Sequence, residues 1–269
     1  MTASVESLLP ILLITMTIDI EEIIKNAQNA QEPELVYRRY SDAELENKPT
    51  TQLKLAGLYP EKPGEVDVEL FAEKIADVAY ADLPPGVHAL TQFAYEGKPV
   101  ILISNRVEEF ENDEELFRRF KFNVAHECGH VIMQNELYRQ ACERAIRARM
   151  RNSVSPSQGE APARCRLTFL RVNAGYRWYE WQASTAGAHL LMPPEHLRYV
   201  IGQQLLEAAT KTPTRFLSEY SLQYRIEHTV RSIFRVSKAT AEIAVERYFK
   251  ARPLLLKQTV AAAKGQPGS

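Results

Sequence analysis

The sequence predicts an α+β fold: a small sheet beside a long helix, followed by a mostly helical C-terminal part. Three observations predict it. Residues 87–105 alternate and then run apolar, as paired strands do. Residues 114–137 carry apolar side chains at helical spacing. From 179 to 250 the pattern is helical, broken at Pro193-Pro194 and at Val236-Ser237.

Composition sets the frame for these elements. The chain has 269 residues, 45% of them hydrophobic, enough for a core without disulfide staples. A net charge of −1 provides no global field for nucleic acid or membrane. The three cysteines, Cys128, Cys142 and Cys165, are odd in number and lack C-x-x-C spacing, which suits a reducing, cytoplasmic setting.

The N-terminal segment, residues 1–62, is expected to be helical and irregular, with Pro33, Pro49 and Pro60 along it. Its apolar run "SLLPILLITMTI" (7–18) is too short for a bilayer and lacks a basic lead-in. We read that run as a packed strand or helix; Met16 offers an alternative start.

A second unit is expected over residues 63–200. "EVDVELFAEKIADVAYADL" (65–83) places Val68, Phe71, Ile75, Val78 and Ala79 at spacings of three and four and reads as one amphipathic helix. "PPG" (84–86) breaks it. "VHALTQFAYEGKPVILISN" then reads as two strands joined at Glu96-Gly97-Lys98, the second nearly all apolar and therefore buried. "EEFENDEE" (108–115) opens a helix, where negative charge favours the positive end of the dipole. That helix runs on towards Leu137 and carries "NVAHECGHVI" (123–132).

Residues 139–177 differ in composition. Nine arginines face only Glu143 and Glu160, and "SVSPSQGEAP" (153–162) is loop-like. We read this insertion as a solvated helix plus loop rather than as a surface for an acidic partner or for the 108–115 run. Residues 201–250 form a helical subdomain, and 251–269 a tail.

The chemistry lies in the helix that carries "NVAHECGHVI". His126 and His130 are four apart, so both imidazoles can reach one ion. Glu127 is offset by about 100° and can face a water rather than the ion. This is H-E-x-x-H: two zinc ligands and a general base. Gly129 leaves a bare patch where other structure can approach closely. Cys128 reads as core. A third ligand has several candidates. His88, His196 and His228 are available, but Glu180 and His189 share the next helix, where small residues at 183, 184 and 186–188 allow tight packing. The two lie about 180° apart, so only one can face the ion. Pattern slightly prefers Glu180.

The pair of stretches "RRFKFNVAHECGHVI" (118–132) and "EWQASTAGAHLLMP" (180–193) resembles the ImmA/IrrE family of metallo-endopeptidases, over residues 63–195. The resemblance implies a zincin-like metallopeptidase domain holding one Zn²⁺ on His126, His130 and Glu180, with Glu127 as catalytic base. It also implies a protein substrate, a helix-turn-helix repressor, whose cleavage releases mobile-element or stress-response genes. Two departures stand out. Ser184 replaces the usual Asn, and Ala186-Gly187 replaces Phe-Ala, which predicts looser packing there. Tyr176 and Tyr179 are candidates to stabilise an oxyanion, and neither is assigned the role. An extended substrate is expected along the strand at 100–104 or its partner at 87–94.

Residues 219–250 offer a different class of function. Two helices separated by a short break, with Ser237 as N-cap, resemble a DNA-reading unit. Their basic residues are offset by Glu219, Glu227, Glu242 and Glu246, so a packing subdomain is preferred. The alternative to a peptidase is therefore a DNA-binding or interaction regulator with a structural or vestigial metal site. An intact Glu127 favours the enzyme, because a structural site needs no base.

Overall fold

A serine opens the first described helix of the computed structural model. The model describes residues 38–84, 86–106, 113–152, 166–168, 176–210 and 217–264, with backbone alone at 149–152, 166–168, 176 and 177. The expectations for residues 1–37, including the apolar run, lie outside these. So do those for most of the 108–115 run and for the 153–162 loop.

Helix α1 (Asp42–Leu55) starts at a capping box: Ser41 Oγ accepts from the Glu44 amide, and the Glu44 carboxylate accepts from the Ser41 amide. Pro49 sits inside this helix and has no N–H to donate to the Leu45 carbonyl one turn back. His189 fills that gap, its Nδ1 donating to Leu45 O at 2.9 Å.

Helix α2 (Val68–Ile75) is capped by Asp67, whose carboxylate accepts from the Leu70 amide, and buries Val68, Phe71 and Ala72. Here the expected helix over 65–83 is corrected. It stops at Ile75, Ala76 turns extended, and Asp77–Ala81 forms strand β1. The helical spacing of Val78 and Ala79 is real, but Val78 and Tyr80 also alternate as a strand does. Pairing with a buried apolar neighbour decides between them, as tertiary context often does.

That neighbour is β3 (Val100–Ser104), which also pairs with β2 (Ala89–Ala94) in the expected hairpin. Gly97 turns the hairpin at φ 85°, a left-handed conformation that favours glycine. A short β4 (Arg166–Thr168) from the arginine-rich insertion completes the sheet, in the order β1-β3-β2-β4. β1 runs parallel to β3, while β2 is antiparallel to both β3 and β4.

Helix α3 (Glu114–Asn152) crosses beside β2. Asp113 caps it by accepting from the Glu115 and Leu116 amides. It runs well past Leu137, so the solvated helix expected in the insertion is a continuation of the histidine-bearing one. Among the described residues the acids at its start pair with cations outside the insertion. Glu114 pairs with Arg118, and Glu115 with Arg119 and Arg231.

Helix α4 (Tyr176–Leu191) ends before Pro193-Pro194, and Pro194 opens α5 (Pro194–Thr210) at a position where proline loses no helical bond. Helices α6 (Glu219–Phe234) and α7 (Lys238–Lys250) follow. Ser237 caps α7 as expected, and Arg235 takes the left-handed turn before it at φ 50°. Residues read as a tail include α8 (Leu255–Ala263), which buries Leu256, Thr259, Val260 and Ala263 against α5 and α6. One core joins these helices to the sheet, from Leu53 through Phe71, Ile101, Val124 and Leu190 to Leu222, Val245 and Val260. Among the described residues no helix is long and apolar enough to cross a membrane.

The α3–α4 crossing is the tightest feature of this core. A Cβ on Gly129 would lie 2.2 Å from the Ala183 carbonyl oxygen. A Cβ on Gly187 would lie 2.8 Å from the Ala125 carbonyl oxygen. The expectation of looser packing at Ala186-Gly187 is therefore reversed: glycine there admits the neighbouring backbone more closely. Gly129→Ala should destabilise the fold by about 1–3 kcal/mol, because rigid backbone has to move. Gly202→Ala, where nothing lies within 4 Å, should stabilise α5 by up to about 1 kcal/mol. Thermal melts of both variants read the contrast.

Candidate metal centre

The crossing sets three side chains against one another. His126 Nε2 and His130 Nε2 are 3.0 Å apart. The Glu180 carboxylate reaches His126 Nε2 at 3.1 Å and His130 Nε2 at 3.2 Å. Two nitrogen donors come from successive turns of α3, and the two carboxylate oxygens, one to each ring, from the first turns of α4. Glu127 is the fourth member, 9% exposed, within 4.8 Å of both histidines.

The donor set fits a metal. Ligands 2.0–2.1 Å from a tetrahedral zinc stand about 3.3 Å from one another. The three contacts here, 3.0, 3.1 and 3.2 Å, fall only tenths of an ångström short of that. The two ring nitrogens also face each other, an arrangement that needs a cation, whether proton or metal, to cancel lone-pair repulsion.

A buried polar chain sets which nitrogen is free to bind. Gln182 Nε2 donates to the Arg38 carbonyl at 2.8 Å, and a carbonyl can only accept. The Gln182 oxygen is therefore left to accept from Gln134 Nε2 at 3.2 Å. Gln134 Oε1 then faces His130 Nδ1 at 3.0 Å, so that nitrogen carries the proton. Nε2 keeps its lone pair for the ion, the usual arrangement of a metal-binding histidine. Gln134 and Gln182 are fully buried, and the sequence reading missed both. The signal was available: Gln134 lies one turn beyond His130. His126 Nδ1 has Ser184 Oγ at 3.1 Å, so that serine holds the ring.

Electrostatics match this geometry. Burial opposes ionisation at Glu180, but bonds from His126 and His130 outweigh it and hold its carboxyl well below the usual range. Burial likewise disfavours a charged His130, but Glu180, Glu127 and Gln134 overcome that and raise its pKa.

The remaining candidates lie elsewhere. His189 is spent on Leu45 O. His196 packs its ring 5.1 Å from that of Tyr59. His88 precedes β2, and His228 lies on α6. Cys128 is fully buried, its thiol pushed up in pKa by burial. Tyr179 is 6% exposed within the core, and the Tyr176 side chain lies outside the described residues. The expected substrate strands are also constrained. β3 is paired on both sides, and β4 covers β2 at Gln92, Phe93 and Ala94.

Two outcomes follow. Gln134→Leu should weaken zinc binding about 10- to 100-fold, read by chelator competition, because His130 loses the acceptor that fixes its tautomer. The metal-free protein should draw stability from the His130–Glu180 pair chiefly between pH 4.5 and 6.5, the ordinary values of the two groups. Below that window Glu180 takes up its proton as pH falls towards its depressed value. Above it His130 loses its proton as pH rises through its raised value. Melting temperatures across pH for the wild type and Glu180→Gln should differ most inside the window.

No family model, no curated protein and no solved structure matches this chain.

Proposed function

We propose that this protein is a zinc-dependent endopeptidase with a zincin-like catalytic domain. The observation that carries this reading is the convergence of His126, His130 and Glu180, with Glu127 beside them. His126, His130 and Glu180 would hold the ion. Bound there, zinc would acidify a water and polarise the scissile carbonyl. Glu127 takes the proton of the attacking water on its carboxylate and passes it to the leaving amine. Burial of Glu127 and His130 keeps bulk water from competing for that proton. Ser184 and Gln134 hold the rings while this happens.

The substrate class rests on the likeness of the two motifs to ImmA/IrrE endopeptidases. On that basis the substrate is a helix-turn-helix repressor. A cytoplasmic setting accords with this reading. Direct DNA reading by α6 and α7 is less well supported. Side chains of α7 line a cavity shared with α3 and α4, and Glu115 holds both Arg231 and the Lys238 amide.

The test is cleavage of the repressor encoded beside this gene, with Zn²⁺ present. Wild type should cut it. Glu127→Gln should lose about 10²- to 10⁴-fold in rate while binding zinc normally. Glu180→Ala should lose zinc itself. A repressor left intact by wild type under every activating condition removes the substrate assignment. Full zinc affinity in Glu180→Ala removes the third ligand.

A further inference from the structure

Beside Ser184, the residue that holds His126 Nδ1, the fold leaves a cavity of about 1070 Å³. Its walls come from α1, the N-terminal part of α3, α4, the start of α5, and α7. None of His126, Glu127, His130 and Glu180 lines it. It is large enough for a drug-sized ligand.

The lining has two characters. Leu45, Phe122, Trp181, Leu197, Ile243 and Tyr248 make much of it apolar. Charge is concentrated on α7 and just beyond it, at Arg247, Lys250 and Arg252. Among the described residues five cationic ones line the cavity against two acidic ones, Asp42 and Glu46, and Arg198 already pairs with Glu46 at 2.9 Å. Arg247, Lys250 and Arg252 have no carboxylate within ion-pair distance among the described residues. Arg247 is held instead by Thr185 Oγ1 at 3.3 Å and lies 6.0 Å from the centre of the Trp181 ring. Arg252 stacks 4.3 Å from the centre of the Tyr248 ring. Two aromatic rings therefore lie against two guanidinium groups beside an apolar chamber, and no described carboxylate matches their charge.

We infer that this cavity binds an amphiphilic anion, a ligand with an extended apolar body and one carboxylate head. The body fills the chamber, and the head meets Arg247, Lys250 and Arg252, where charge-assisted bonds are strongest. An occupant would sit one residue from the metal centre, because Ser184 lines the cavity and also holds His126.

The experiment is calorimetric titration of the full chain, without added zinc, using dodecanoate below its micelle concentration. 1-Dodecanol and dodecylammonium are the matched neutral and cationic probes. Dodecanoate should bind at one site, about tenfold or more tighter than either analogue. Arg247→Ala combined with Lys250→Ala should erase that preference; both residues are exposed, so the fold should hold, as circular dichroism can verify. Ala244→Phe should weaken binding of the apolar body by intruding on the chamber wall. Equal binding of all three probes, an unchanged preference in the double variant, or full binding by a folded Ala244→Phe protein overturns the inference.

Discussion

The structure depends on how closely two helices approach. A candidate metal site built from two helices is only as precise as the distance between their backbones. Here glycine faces backbone on both sides: Gly129 against Ala183, and Gly187 against Ala125. Each contact lies next in sequence to a histidine, Gly129 before His130 and Ala125 before His126. The two imidazoles are therefore carried by the stretch of α3 most firmly fixed against α4, which also bears Glu180. Close packing here does for the site what a dense core does elsewhere: it removes alternative positions.

Polarity is fixed as firmly as position. Buried amides are costly unless satisfied, so Gln134 and Gln182 bond to each other, to His130 and to the carbonyl of Arg38. The direction of that chain is imposed by a backbone oxygen at its far end. At the other end of α3, Glu65 pairs with both Lys121 and Arg235, and Glu115 with Arg231. The C-terminal helices are thereby linked to the helix that bears the site. Burial opposes ionisation of Glu65, but Lys121 and Arg235 outweigh it and hold its pKa low.

Much of this was legible because its signals are local. The hairpin has its glycine turn, α7 its serine cap and α4 its proline stop. The H-E-x-x-H spacing, with Glu180 preceding small residues, marked the three groups that converge. What was illegible depends on distant partners. Nothing within 77–81 distinguishes strand from helix until β3 offers an edge. The run of α3 to Asn152 was hidden by a change in composition that does not interrupt helical backbone. Gln134 is an ordinary polar residue until Gln182 lies beside it, and α8 becomes more than a tail only when α5 covers it.

Pro49 and His189 stand 140 positions apart in sequence, yet they act on one carbonyl. The proline removes a donor from Leu45 O, and the histidine restores it. In genetic terms the two positions are not independent. With Pro49 in place, losing His189 leaves a buried acceptor unmet. With a residue that has an N–H at 49, α1 satisfies its own carbonyl and position 189 is released. Substitutions at these sites are therefore tolerated in one order and not in the other, so a histidine that resembles a spare metal ligand is retained through a proline on another helix.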